Sequence, residues 1–393
     1  MTDAPAQSPE DGQLDARRRL NRLQERLATS GFDALVLSAE ANFTYVTGYT
    51  SASWAMTARP MALVVTPDDC IAVVGSAEAE PLGDKARHVL IAPYTQPTMR
   101  DLGGFPFLDF AATTTHQVAN LLTARRVRRV GIEGSVPSAS GLPYDSLRLL
   151  ADLADVTLAD ASGLLWEMKL TKSTYEIAQL RRAGASLGQL YELFATRARI
   201  GMTERELRGL LLGAAGEVDC DRLGYLTVII GPEAAAAAYP GDRRWRKGDL
   251  LYIDIGLVLD GYWADFSRHF GAREATDEQL TAYAQIVTAV QAGRMACQSG
   301  AAVASVADAI YAHLPAERVG IGRVGHGLGL DLTEPPSVNR EDATILAPGM
   351  TLAVEPLGTF RFGVLYGEEN VVVTETGPQL LSPPFPTALP IIS

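Results

Sequence analysis

Gly248-Asp-Leu-Leu-Tyr-Ile-Asp254-Ile-Gly256 and Tyr262-Trp-Ala-Asp265-Phe-Ser-Arg-His269 are two apolar stretches, each carrying an aspartate. Between them lies Asp260-Gly261, a hairpin turn dipeptide. With 260 and 261 as a two-residue turn, residue 256 faces 265 and residue 254 faces 267. Strand side chains alternate between faces, so Asp254 and Asp265 become diagonal neighbours on one face. A carboxylate at the end of an apolar strand is costly to bury unpaired, and two this close repel each other. A divalent cation relieves that repulsion; so does a shared proton or an arginine.

The plan recurs a hundred residues on. Gly349-Met-Thr-Leu-Ala-Val-Glu355 repeats the order of Gly248 to Asp254: a turn glycine, an apolar strand, then an acid six residues after the glycine. A second acid follows each copy, Asp265 and Glu368. This suggests a duplicated domain with a site between its halves. His326 stands in Gly325-His-Gly-Leu-Gly-Leu330, where the flanking glycines let the backbone approach closely and leave the imidazole as the functional side chain. Asp254, Asp265, His326, Glu355 and Glu368 make an oxygen-rich set suited to two divalent ions such as Mn, Co, Fe or Zn. Two such ions can activate water and polarise a carbonyl.

Around this core the chain reads as two domains. Residues 14–165 alternate helical patterns with short apolar runs (34–37, 61–65, 71–74 and 127–132), as an α/β domain does. Residues 166–393 read as α+β. Ser173–Glu176, Thr203–Glu206 and Thr276–Gln279 are capping boxes, each heading a helix. Residues 1–13 are polar and read as a disordered start, and the Pro-rich end (Pro383, Pro384, Pro386, Pro390) as an extended tail.

Composition narrows the partners. Of 393 residues, 34 are Lys or Arg and 46 Asp or Glu, a formal net charge of −12. Such a chain is poorly suited to nucleic acid or anionic membranes, which need clustered cations. Cys70, Cys220 and Cys297 are odd in number and far apart, which argues against a disulfide framework or thiolate zinc site. No secretory signal is visible, and a cytoplasmic protein is the expectation.

The order Asp254, Asp265, His326, Glu355, Glu368 resembles the pita-bread metallohydrolases: Xaa-Pro aminopeptidases, prolidases (Xaa-Pro dipeptidases), methionine aminopeptidases and creatinase. The carrying motifs are Asp-x10-Asp, Gly325-His-Gly-Leu-Gly, Ala353-Val-Glu-Pro356 and Glu368 six residues before Thr374, within residues 174–376. Gly31-Phe-Asp-Ala-Leu-Val-Leu37 and Asn42-Phe-Thr-Tyr-Val-Thr-Gly48 are similar to the creatinase-type N-terminal domain. The resemblance implies a creatinase-like α/β domain followed by a duplicated pita-bread domain. It also implies a dinuclear centre on the five residues, and a homodimer. The spacing to Thr374 selects Glu368 as the ligand over Glu369.

The chain departs from the family around these positions. Of two further histidines the family uses on substrate, the first position falls on Ala237 in Pro232-Glu-Ala-Ala-Ala-Ala-Ala-Tyr239, and the second on Thr333. The arginine expected two residues before the last ligand is Tyr366. Tyr239, Thr333 and Tyr366 are therefore candidate substrate-binding residues. His269, on the same strand alternation as Asp265, is a candidate catalytic substitute. The expected activity is metal-dependent hydrolysis of an amide-type C–N bond in a small substrate or dipeptide. Alternatives are creatinase- or ectoine-hydrolase-like action on a non-peptide compound, or elimination as in relatives resembling dimethylsulfoniopropionate lyase.

Overall fold

A computed structural model of the chain describes residues 9–57, 59–95, 106–231, 239–314 and 322–393. The chain divides into two compact units between Lys169 and Leu170, a few residues beyond the boundary expected near 165.

The first unit is built on a six-stranded mixed sheet. Its strands are β1 (Ala34–Leu37), β2 (Ala62–Val65), β3 (Cys70–Gly75), β4 (Leu90–Tyr94), β5 (Arg129–Ile132) and β6 (Thr157–Asp160), in the order β4-β3-β2-β1-β5-β6. Every residue of β1, β2 and β3 is buried, as expected of continuous apolar runs in a sheet covered on both faces. Helices α1 (Pro9–Leu27), α2 (Glu40–Thr47), α3 (Ser76–Lys85), α4 (Pro106–Ala124), α5 (Tyr144–Ala154) and α6 (Ser162–Leu170) complete it. Helix α1 corrects the disordered start: from Pro9 the polar residues are its first turns, while residues 1–8 lie outside the described residues. Glu133 holds the entry to α2, accepting from the Ser38 and Ala39 amides and from Asn42 Nδ2.

The second unit opens with α7 (Thr174–Arg197) and α8 (Glu204–Ala214), both headed by the expected capping boxes. A first sheet contains β7 (Arg222–Ile230), β8 (Leu250–Leu259) and β9 (Tyr262–Ala272). The third expected capping box heads α9 (Asp277–Ala296), which is followed by α10 (Val303–Tyr311). A second sheet comprises β10 (Gly325–Gly327), β11 (Glu334–Ser337), β12 (Thr351–Val354), β15 (Glu369–Val372) and β16 (Gln379–Leu380), and β13 (Leu357–Phe360) pairs with β14 (Gly363–Tyr366). One apolar cluster packs α7 and α8 onto the first sheet, another packs α9 and α10 onto the second.

The Pro-rich end is not a free tail. Its last residues form β17 (Ile391–Ile392), parallel to β9 at Gly271 and Ala272. Prolines withhold amide donors but not carbonyls, and Arg268 Nη2 takes those of Pro383 and Pro384, at 2.9 and 3.4 Å. Phe385 and Leu389 are buried. Among the described residues, no helix is long and apolar enough to cross a membrane.

Candidate metal centre

Strands β8 and β9 form the expected hairpin. Leu259 pairs with Tyr262, and the two turn residues between them take positive φ, Asp260 at 51° and Gly261 at 82°. That is the left-handed pair a two-residue turn needs to match strand twist. Gly256 is opposite Asp265 and Asp254 opposite Ser267. Tyr252, two residues earlier on the same face, donates its hydroxyl hydrogen to Asp254 Oδ2 at 2.9 Å. On the next strand Thr227 is opposite Asp254 and Tyr225 opposite Gly256, which places both on this face.

The remaining three residues come from the second sheet. His326 is central in β10, opposite Ala353 of β12. A Cβ on Gly327 would collide with the Pro335 carbonyl, so the strand beside His326 can approach only because that position is glycine. The imidazole Nδ1 donates to the Gly327 carbonyl at 2.8 Å. That bond fixes the tautomer and leaves the Nε2 lone pair free toward the acids. Nε2 lies 3.5 Å from Asp265 Oδ2 and 3.9 Å from Glu355 Oε2. Glu355 directly follows β12, and Glu368 directly precedes β15. Donor atoms of Asp265, His326 and Glu368 all lie within 4.8 Å of one another. Asn370 ties the two sheets at this point: its Oδ1 accepts from the Asp265 amide at 3.0 Å and its Nδ2 donates to the Asp265 carbonyl at 2.6 Å.

These acids are largely withdrawn from solvent, and among the described residues none of them forms an ion pair with a lysine or arginine. Asp254, Asp265 and Glu368 are buried, and the Glu355 side chain is 21% exposed. Burial and the neighbouring Asp265 charge push Asp254 up to about 8; burial pushes Asp265 to about 7 and Glu355 to about 7. Glu368 is held well above the ordinary carboxylate range by burial and the three other acids. Burial keeps His326 neutral, its affinity for a proton lowered. Arg268, the nearby buried cation, gives its hydrogens to the Ser267, Glu368 and Pro383 carbonyls. Asp254 Oδ1 and Glu368 Oε1 are buried without a hydrogen-bond partner. Unpartnered buried oxygens and a neutral nitrogen, all from hard donors, fit divalent metal ions.

Glu369 is committed elsewhere. Its carboxylate pairs with Arg294 at 2.9 and 3.0 Å and accepts from the Phe385 amide at 2.7 Å. Strand alternation therefore turns Glu368 inward and Glu369 toward α9.

The outer candidates fare unevenly. His269 does lie on the face of Asp265 and Ser267, but its Nε2 accepts from the Tyr366 amide at 3.0 Å and its ring lies 5.2 Å from that of Tyr252. Burial drives its pKa down to about 3. The ring is neutral with Nε2 taken by that amide, and its Nδ1 is buried without a hydrogen-bond partner. Tyr366 stacks on Tyr252 at 5.1 Å, within reach of the centre through the hydroxyl that Tyr252 gives to Asp254. The Thr333 hydroxyl accepts from Arg323 Nη2 at 3.4 Å. Tyr239 is 91% exposed, and Ala237 lies outside the described residues. Sequence reasoning missed Tyr225, Tyr252 and Asn370. Tyr225 and Tyr252 were legible in hindsight, since period-two counting from Asp254 and across the register reaches both.

Comparison with known proteins agrees with this architecture. The family model of metallopeptidase family M24 matches residues 178–375, and that of the creatinase/prolidase N-terminal domain matches residues 19–170. The Bacillus subtilis protein named uncharacterized peptidase YqhT is 23% identical over 368 residues, 91% of this chain and 96% of that protein. A Mycobacterium tuberculosis protein named probable dipeptidase PepE is 28% identical over 253 residues, 63% of this chain and 66% of that protein. The solved structure of an Xaa-Pro dipeptidase from Bacillus anthracis superposes with a TM-score of 0.81 at 20% identity, covering 96% of this chain and 99% of that one. At that identity the likeness is one of fold.

Proposed function

This chain belongs to metallopeptidase family M24, and on that premise we propose that it is a dinuclear-metal dipeptidase of the Xaa-Pro type. Asp254, Asp265, His326, Glu355 and Glu368 would hold the ions. The observation that carries this reading is the buried set itself: four acids and a neutral imidazole, with no lysine or arginine paired to them among the described residues, and two orphaned oxygens. The printed names of the dipeptidase relatives support the substrate class.

Bound divalent ions supply a Lewis acid for the scissile carbonyl and a water made acidic enough to attack at neutral pH. The chain's own residues set that up. Tyr252 holds one Asp254 oxygen and so orients the other. Asn370 fixes the Asp265 backbone, and the Gly327 carbonyl fixes the His326 ring. Glu355 has the solvent-facing carboxylate of the set and meets incoming substrate. The Tyr252–Tyr366 stack, with Ile229 and Val364 against it, gives an apolar wall beside Asp254 that keeps water from its side chain.

The test is proline release from a panel of Xaa-Pro dipeptides by Mn²⁺-loaded protein. Turnover that disappears in Asp265→Ala is the expected result. A fully loaded protein that releases no proline would move the reading to a non-peptide amide. The Thr333 hydroxyl and Tyr366 ring, where the family carries stronger donors, favour that as the second reading.

A further inference from the structure

We propose that Tyr252 decides whether the centre holds one divalent ion or two, because it positions Asp254, the ligand on which the second ion depends. This rests on the reading that the five residues bind divalent ions.

The five are not equivalent. Donor atoms of Asp265, His326 and Glu368 gather within 4.8 Å of one another, and Asp254 and Glu355 are not in that group. Three such donors are enough to hold one ion, so a second must draw on the acids outside the trio. Glu355 still borders it, with Oε2 3.9 Å from His326 Nε2. Asp254 is the acid set apart, diagonally across the hairpin from Asp265.

What Asp254 offers an ion is fixed by its neighbours. The Tyr252 hydroxyl donates to Oδ2 at 2.9 Å, while Oδ1 is buried without a partner. A hydroxyl stands directly opposite on β9, that of Ser267, and it too is buried without a partner. Leaving an acceptor and a donor unbonded on facing positions forfeits free energy. Coordination of an ion by Oδ1 recovers the acceptor's share.

Tyr252 is itself enclosed. His269 is opposite it on β9 and Ile229 opposite it on β7. Its ring lies 5.2 Å from that of His269 and 5.1 Å from that of Tyr366. The Tyr366 amide donates to His269 Nε2 at 3.0 Å and so ties the two flanking residues together. A phenol held on these sides offers its one hydrogen in one direction. A carboxylate with one oxygen held by a fixed donor gives up less freedom when the other meets an ion. Asp265 is secured differently, through its backbone by Asn370. The Tyr252 hydroxyl therefore acts on the ion that Asp254 serves and not on the one held by the trio.

The experiment uses the full-length protein, stripped of metal and titrated with Mn²⁺. Equilibrium dialysis counts the ions, and electron paramagnetic resonance shows whether they are coupled as a pair. Wild type should bind two ions and show the coupled pair. Tyr252→Phe, which keeps the ring and its stacking, should weaken the second ion by roughly 10–100-fold, the cost of losing an outer contact, and leave the first unchanged. At Mn²⁺ levels that fill wild type, its spectrum should be that of an isolated ion. In an Asp254→Asn background, Tyr252→Phe should leave the remaining ion's affinity untouched, because the hydroxyl acts through Asp254. Two ions of unchanged affinity in Tyr252→Phe overturn the proposal, as does an equal loss of both. A further loss in the Asp254→Asn background does the same. Wild type that binds one ion also overturns it, and wild type that binds none overturns the metal-centre reading beneath it.

Discussion

Lys172 Nζ lies 2.7 Å from Glu334 Oε2, and both side chains are 2% exposed. The second Glu334 oxygen accepts from the Leu330 and Asp331 amides. The pair therefore secures the loop between His326 and β11, whose carbonyls at Gly329 and Leu330 also take both Trp263 hydrogens. Removing one member leaves a buried charge alone, which costs roughly 3–5 kcal/mol. Urea unfolding of Lys172→Met should show a loss of that size. The double variant Lys172→Met, Glu334→Gln should recover much of it. A loss below about 1 kcal/mol in the single variant would mean that water reaches the pair.

Glu368 and Glu369 are adjacent but do different work. Glu368→Gln should weaken Mn²⁺ binding by more than the roughly 10–100-fold that loss of an outer contact costs. Glu369→Gln should leave metal affinity nearly intact and lower stability by about 2 kcal/mol, because Arg294 loses its partner. Equilibrium dialysis and urea unfolding on both variants separate the roles. The reverse pattern would make Glu369 the ligand.

The metal-free centre should carry a pH signature. Asp254, Asp265 and Glu355 have folded pKa values raised to about 8, 7 and 7. Unfolded acids release their protons near pH 4. Between those limits the native state holds more protons, so stability falls as pH rises from about 4 to 8. Melting of the metal-free protein should drop by about 5 °C or more between pH 5 and 8. Asp254→Asn should flatten that slope, and Mn²⁺ should raise melting most at the alkaline end, where no protons need be displaced. A slope unchanged in Asp254→Asn contradicts this origin.

His269→Ala should behave as a packing change. Losing the ring and the acceptor for the Tyr366 amide should cost roughly 3 kcal/mol. A group neutral down to about pH 3 does not titrate in the working range, so the pH dependence of kcat should keep its shape. A vanished ionisation in that profile would restore His269 as an acid or base.

The hairpin was legible because Asp260-Gly261 fixes its register, and one register places Asp254 and Asp265 together. The capping boxes were legible for a similar reason: Ser173, Thr203 and Thr276 each satisfy amides within four residues. The groups missed depend on contacts distant in sequence. Asn370 clamps a backbone 105 residues away, and nothing in its neighbourhood along the chain hints at that. The terminal strand was missed because prolines signal an end to pairing, while Ile391 and Ile392 pair with β9 after the prolines have passed. His269 was placed on the right face, but its bond to the Tyr366 amide was not foreseen, since alternation gives direction and not partners.

The central claim is that the five residues hold two divalent ions. Equilibrium dialysis of the full-length protein against Mn²⁺, followed by metal analysis, tests it most directly. The account expects two ions per chain in wild type, with protons released on binding at pH 6, and a marked loss in Asp265→Ala. Wild type that retains no Mn²⁺, Co²⁺, Fe²⁺ or Zn²⁺ above the level of Asp265→Ala would contradict it.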